Sequence, residues 1–119
     1  MHPALHRTAL AATALLFAAN AAMAQASDWP KQPITLIMGF PAGSGVDVVA
    51  RAVQEPLSQK LGQPIIIDYK SGAAGNIASE YVAHAKPDGY TLAFGTAATH
   101  GSNAALYKSL PFDVEADFV

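Results

Sequence analysis

The sequence predicts an α/β fold, a parallel sheet built in the order β-α-β-α-β. Three observations carry this. Near-continuous apolar runs rich in β-branched and aromatic residues recur at 34–40, 64–68 and 90–95. They lack the polar–apolar alternation of a half-exposed strand and suit strands buried on both faces. Between them lie two stretches whose apolar residues recur at helical spacing, each opened by a Gly-rich turn. Strands joined by helices pack as a parallel sheet with right-handed crossovers. The expected strand order is 2-1-3, one half of a doubly wound, Rossmann-like fold.

The chain has 119 residues, enough for at most one small domain. His2, His6 and Arg7 give it a weakly basic start, and Ala9 to Ala22 is almost wholly apolar. Ala22-Met23-Ala24 is a small-x-small cleavage signature, followed by polar Gln25, Ser27 and Asp28. Residues 1–24 therefore read as a secretory signal peptide cleaved after Ala24. The apolar run is shorter than the roughly 20 residues of a membrane span. No cysteine is present to carry a lipid. Residues 25–119 remain, with six basic against nine acidic side chains, about −3. Without a basic patch, nucleic acid is excluded as a partner. Export without disulfides leaves stability to a modest apolar core.

Trp29 to Pro33 is a proline-bounded lead-in to the first strand, Ile34 to Phe40. Val46, Val49, Ala50, Val53, Leu57 and Leu61 then form one helical stripe. Leu61-Gly62 supplies a C-terminal stop, with Pro64 just beyond. Pro56 lies inside this helix and is expected to kink or split it near residue 55. Pro64 to Asp68 is the second strand, and 72–76 (G-A-A-G-N) the second Gly-rich turn. Ile77, Tyr81, Val82 and Ala85 mark the second helix. Lys86-Pro87-Asp88-Gly89 is a strong turn signal. Tyr90 to Gly95 is the third strand, Thr96 to Asn103 a small polar loop, and Asn103 to Tyr107 one helical turn.

In such a sheet every strand-to-helix turn lies at one edge, so residues 39–47, 70–76 and 95–103 converge where ligands of open α/β sheets bind. The first turn reads G-F-P-A-G-S-G-V-D. A dinucleotide fingerprint needs G-x-G-x-x-G. Gly43 and Gly45 fit and Asp68 stands where the acidic partner belongs, but position 48 is Val. A P-loop needs a lysine that is absent. A nucleophile elbow needs glycines where Ala42 and Val46 flank Ser44. His84 and His100, sixteen apart without cysteine, are not metal-ligand spacing, and His84 reads as a solvated helix-end residue. What remains is a helix N-terminus with free donors and glycines that let a ligand approach the backbone. No Arg or Lys sits within 39–47. Such a turn suits a carboxylate held by backbone amides and the hydroxyls of Ser44, Thr96 and Thr99. Asp47 has two readings, a favoured acid in the first helical turn or an acceptor for a ligand amine or hydroxyl. Asn76 likewise reads as a cap or first-turn residue, or as a ligand contact.

W-P-x-x-P-I-T-L-I, F-P-A-G-S-G-V-D, L-G-Q-P-I-I-I, G-A-A-G-N-I-A-S-E, P-D-G-Y-T-L and G-T-A-A-T-H stand in order along nearly all of residues 29–119. Together they resemble the Bug family, solute-binding receptors of tripartite tricarboxylate transporters in Gram-negative bacteria. The resemblance implies a periplasmic receptor of the type II binding-protein class, with two α/β lobes, no cofactor and no enzymatic activity. It implies a small carboxylate as ligand and integral-membrane permease subunits as partners. The family's carboxylate loop corresponds to Phe40, Pro41, Ala42, Gly43, Ser44, Gly45 and Asp47. The loop at Thr96, Thr99 and His100 faces the same cleft, and Gly75 and Asn76 border it. Ala42 and Ser44 depart from the more glycine-rich first loop of the family. Family receptors run to about 300 residues, a two-domain size. Residues 25–119 are accordingly expected to be an incomplete first lobe, from a fragment or a truncated gene, binding carboxylates weakly or not at all alone. An alternative of another class is a hydrolase using Ser44 as nucleophile.

Overall fold

The computed structural model describes residues 29–118. The expected signal peptide lies outside the described residues. Three strands form one parallel sheet in the order β2-β1-β3: β1 Ile34–Met38, β2 Ile65–Tyr69 and β3 Thr91–Ala93. Two helices follow the first two strands, α1 Gly45–Leu61 and α2 Asn76–Ala83. A π-type turn, Ala98–Ser102, leads into the short α3, Asn103–Leu106. The predicted element order and strand order are those observed.

Burial is uneven across the sheet, and position explains why. β1 is central, paired on both sides, with Ile34, Ile37 and Met38 fully buried. Each such side chain contributes on the order of 1.5–3 kcal/mol. Leu36 and Met38 pack with Ala50 of α1 and Ile65 of β2. β2 is an edge strand, and Ile66 is 50% exposed, so burial on both faces holds for β1 and fails there.

Both helices differ from their predicted stripes. In α1 only Ala50 of the stripe is buried, with Val46 and Leu61 half-buried; Val49 is 54%, Val53 46% and Leu57 39% exposed. The helix leans toward β2, where Gln54 donates to the Ile65 carbonyl (2.7 Å) and Ser58 to that of Gln63 (2.9 Å). Its other flank has no neighbouring helix among the described residues. Pro56 does not split α1, which runs unbroken to Leu61 and closes on left-handed Gly62. Residues 52 and 56 are both exposed, so the carbonyl that loses its helical donor at Pro56 can be solvated. In α2 the buried residues are Asn76, Ala78 and Ser79, while Ile77 and Tyr81 are about half exposed. The small face lets the helix start approach β1 closely. A Cβ on Gly39 would stand 2.8 Å from Gly75 Cα.

Candidate functional site

Five buried polar side chains, Asp47, Asn76, Ser79, Thr99 and Asn103, all lie in or just after the turns at the C-terminal edge of the sheet. The same turns converge there. A Cβ on Gly75 would meet Thr99 Cγ2 at 2.5 Å and the Phe40 ring at 3.4 Å, so the three loops touch at this glycine.

The first loop is braced by its own side chains. Ser44 caps α1, its Oγ accepting from the Asp47 N–H (3.3 Å). Asp47 Oδ2 accepts from the Gly43 N–H (2.8 Å) and from Arg51 Nε (3.1 Å). Its Oδ1 accepts from the Tyr69 hydroxyl (2.6 Å), which in turn accepts from Arg51 (2.7 Å). The Tyr69 hydroxyl and the Gly43 amide, with Arg51, hold the Asp47 carboxyl below its ordinary pKa despite burial. The Asp47 bond pushes the Tyr69 hydroxyl upward. Asp47, in the first turn of α1, is therefore bonded to its own loop, its own helix and Tyr69 of β2. The N–H groups of Gly45 and Val46 have no acceptor among the described residues. They are the first orphan donors of the helix, beside exposed Pro41, Ala42 and Gly43.

The second loop is a left-handed turn. Ala73 and Ala74 have φ of 47° and 54°, and Gly75 follows at 91°. Its internal bonds run from the Gly75 N–H to the Gly72 carbonyl (2.9 Å) and from the Asn76 N–H to the Ala73 carbonyl, and no side chain caps α2. Ala73 and Ala74 are exposed, whereas Gly75 and Asn76 are buried. The third loop is closed on itself. Thr96 N–H donates to Thr99 Oγ1 (2.9 Å) and Thr99 N–H to Thr96 Oγ1 (3.2 Å). Thr99 Oγ1 also reaches the Thr96 carbonyl at 3.2 Å. The Thr99 hydroxyl is thus occupied locally. His100 lies 2.8 Å from it through Nδ1, and its ring meets Phe118 edge-on at 4.8 Å. It lines a hollow of about 640 Å³ along β3 to which neither the first nor the second loop contributes.

Phe40, Gly75 and Thr99 are thus brought together, Ser44 and Asp47 act within the first loop, and His100 touches Thr99 through Nδ1 while lining the hollow along β3. Arg51, Tyr69 and Asn103 belong to the supporting network and were not anticipated. The i,i+4 spacing of Asp47 and Arg51 was a usable signal; the long-range partners Tyr69 and Asn103 left none. Ser44 makes no bond to a histidine among the described residues, and its hydroxyl is a helix cap. No group of His, Cys, Asp and Glu suited to a metal occurs among the described residues.

Residues 49–118 match the model of the tripartite tricarboxylate transporter family receptor. A UPF0065 protein of Bordetella bronchiseptica is 47% identical over 113 residues, 95% of this chain and 33% of the relative. BugT of Bordetella pertussis is 34% identical over 119 residues, 97% of this chain and 36% of the relative. The chain thus spans about a third of the length of these relatives. Among solved structures, MatC of Rhodopseudomonas palustris with bound malate superposes at TM-score 0.73 with 40% identity, covering 76% of this chain and 31% of MatC. An R. palustris protein solved with adipate gives 0.70 and 40%, covering 73% and 29%. The periplasmic binding protein BugD gives 0.72 and 32%, covering 76% and 30%. These are solute-binding proteins and not enzymes, which removes the hydrolase alternative. With the family model matching residues 49–118 and relatives 34–47% identical along nearly the whole chain, the chain belongs to the family of tripartite tricarboxylate transporter receptors.

Proposed function

We propose that residues 25–119 form part of the first lobe of a periplasmic receptor that binds a small carboxylate and delivers it to the permease subunits of a tripartite transporter. The observation that carries this is the first loop. It offers the unpaired N–H groups of Gly45 and Val46 at a helix start, where partial positive charge favours an anion. Arg51, one turn along α1, is bound to Asp47, and Lys70, which opens the second loop, is bound to Asp68. A loop of amides without a free cation suits a carboxylate better than a phosphate, which more often draws a lysine or arginine. The relatives solved with malate and with adipate support a dicarboxylate. Phe40, Gly75 and Thr99 close the floor between the loops, and Asn76 adds a side-chain amide. Residues 1–24 serve as the export signal, and the uncovered flank of α1 at Val49, Val53 and Leu57 supports the reading of an incomplete lobe.

Calorimetric titration with malate and adipate tests this reading. The receptor made from this chain and any coding sequence continuous with it is expected to bind one of them with micromolar affinity, and residues 25–119 alone much more weakly. Binding of neither acid by either protein sinks the proposal. N-terminal sequencing of periplasmic material is expected to begin at Gln25.

A further inference from the structure

Asn103 closes the third loop, at the start of α3, and is only 2% exposed. Its Nδ2 donates to the Ala74 carbonyl (3.2 Å) and to Asn76 Oδ1 (2.6 Å). These two bonds fix three things in sequence. A carbonyl can only accept, so Ala74 requires the nitrogen end of the Asn103 amide to face it. That same nitrogen then faces Asn76, which must answer with its oxygen. The NH₂ of Asn76 is thereby turned away from Asn103. It has no acceptor among the described residues and is not fully buried, so it keeps a small accessible edge on a side chain that is otherwise enclosed, Asn76 being 5% exposed. The Ala74 bond also ties down a turn in which two alanines hold positive φ, a conformation that persists only when its surroundings impose it.

Resting on the function proposed above, we propose that Asn103 is a positioning residue of the carboxylate site. It sets the Asn76 amide with its NH₂ as the free donor toward the ligand and holds the left-handed turn Ala73–Gly75 beside it. A donor there favours an anionic oxygen and disfavours an amine. Asn103 touches no ligand itself.

The test uses two near-isosteric variants of the receptor, titrated with malate and adipate and compared by ¹H–¹⁵N spectra without ligand. Asn103→Asp removes the donor and places a carboxylate against Ala74 O and Asn76 Oδ1. The Asn76 side-chain NH₂ and the amides of Ala73, Ala74 and Gly75 are expected to shift, and affinity to fall about tenfold or more, as for loss of a hydrogen bond to a charged group. Asn76→Asp keeps the acceptor for Asn103 and replaces the free donor by an anionic oxygen. Its amides at 73–75 are expected to stay in place while affinity falls at least as far. Asn103→Asp with unmoved resonances, or with moved resonances and unchanged affinity, overturns the positioning role alone. Should Asn103→Asp not fold, wild-type affinity in Asn76→Asp overturns it. Wild-type receptor that binds neither acid sinks the proposed function and this role together.

Discussion

The first and second loops both open a helix after a strand, yet they are held in opposite ways. The first is held from within and nearby: Ser44 caps α1, Asp47 ties back to Gly43, and Arg51 lies one turn on. The second carries no side-chain cap and holds its shape through positive φ at Ala73, Ala74 and Gly75. Its restraint comes from elsewhere, from Thr99 against Gly75 and from Asn103 to Ala74 and Asn76. A loop of local bonds tolerates change in its neighbours. A loop wedged by distant residues transmits such changes, and it is the better place to disturb the site as a whole.

The largest expected effect comes from left-handed Gly75, with Gly43 of the first loop as its control. Gly75→Ala adds positive-φ strain and drives a Cβ to within 2.5 Å of buried Thr99, costing roughly 3–5 kcal/mol of stability. Gly43→Ala has a similar φ but meets nothing within 4 Å, and strain alone costs about 1–2 kcal/mol. Urea unfolding of both variants decides it; equal losses would erase the contrast between the loops. Next, Asn103→Leu leaves the buried Asn76 oxygen and the Ala74 carbonyl without a donor and is expected to cost about 2–3 kcal/mol, by the same measurement. Ser44→Ala removes only a local cap, for about 1 kcal/mol, and is expected to leave the amide resonances of residues 73–76 unmoved.

The finest test is in acid. The folded pKa of Asp47 is held below the ordinary 3.8, chiefly by the Tyr69 hydroxyl and then by the Gly43 amide. Its contribution to stability is therefore fully present above pH 3.8 and is lost as pH falls through the lowered value. Wild-type stability is expected to drop below that pH, and Asp47→Asn to flatten the drop. An unchanged acid limb would mean that the brace of the first loop lies elsewhere.

The strand order and the convergence of three loops were legible because β-α-β chirality and a parallel sheet leave few alternatives. Each helix start was marked by its glycines and by a polar first-turn residue. The helix faces were read less well. Periodicity finds an apolar stripe but cannot say how much of it a three-stranded sheet covers, hence exposed Val49 and Val53. In α2 the stripe through Ile77 and Tyr81 pointed away from the true packing face, which is small because β1 comes so close at Gly39.

The α/β order and the sheet edge at which the three loops meet follow from the sequence alone. Those are local matters of propensity, capping and chirality. Tertiary structure alone decided which groups in the loops stay free. Asp47 is taken by Tyr69 across 22 residues, and the Asn76 oxygen by Asn103 across 27. A hydrogen-bonding group is available to a ligand only after the fold has taken its share, and that share is set by contacts no local spacing encodes.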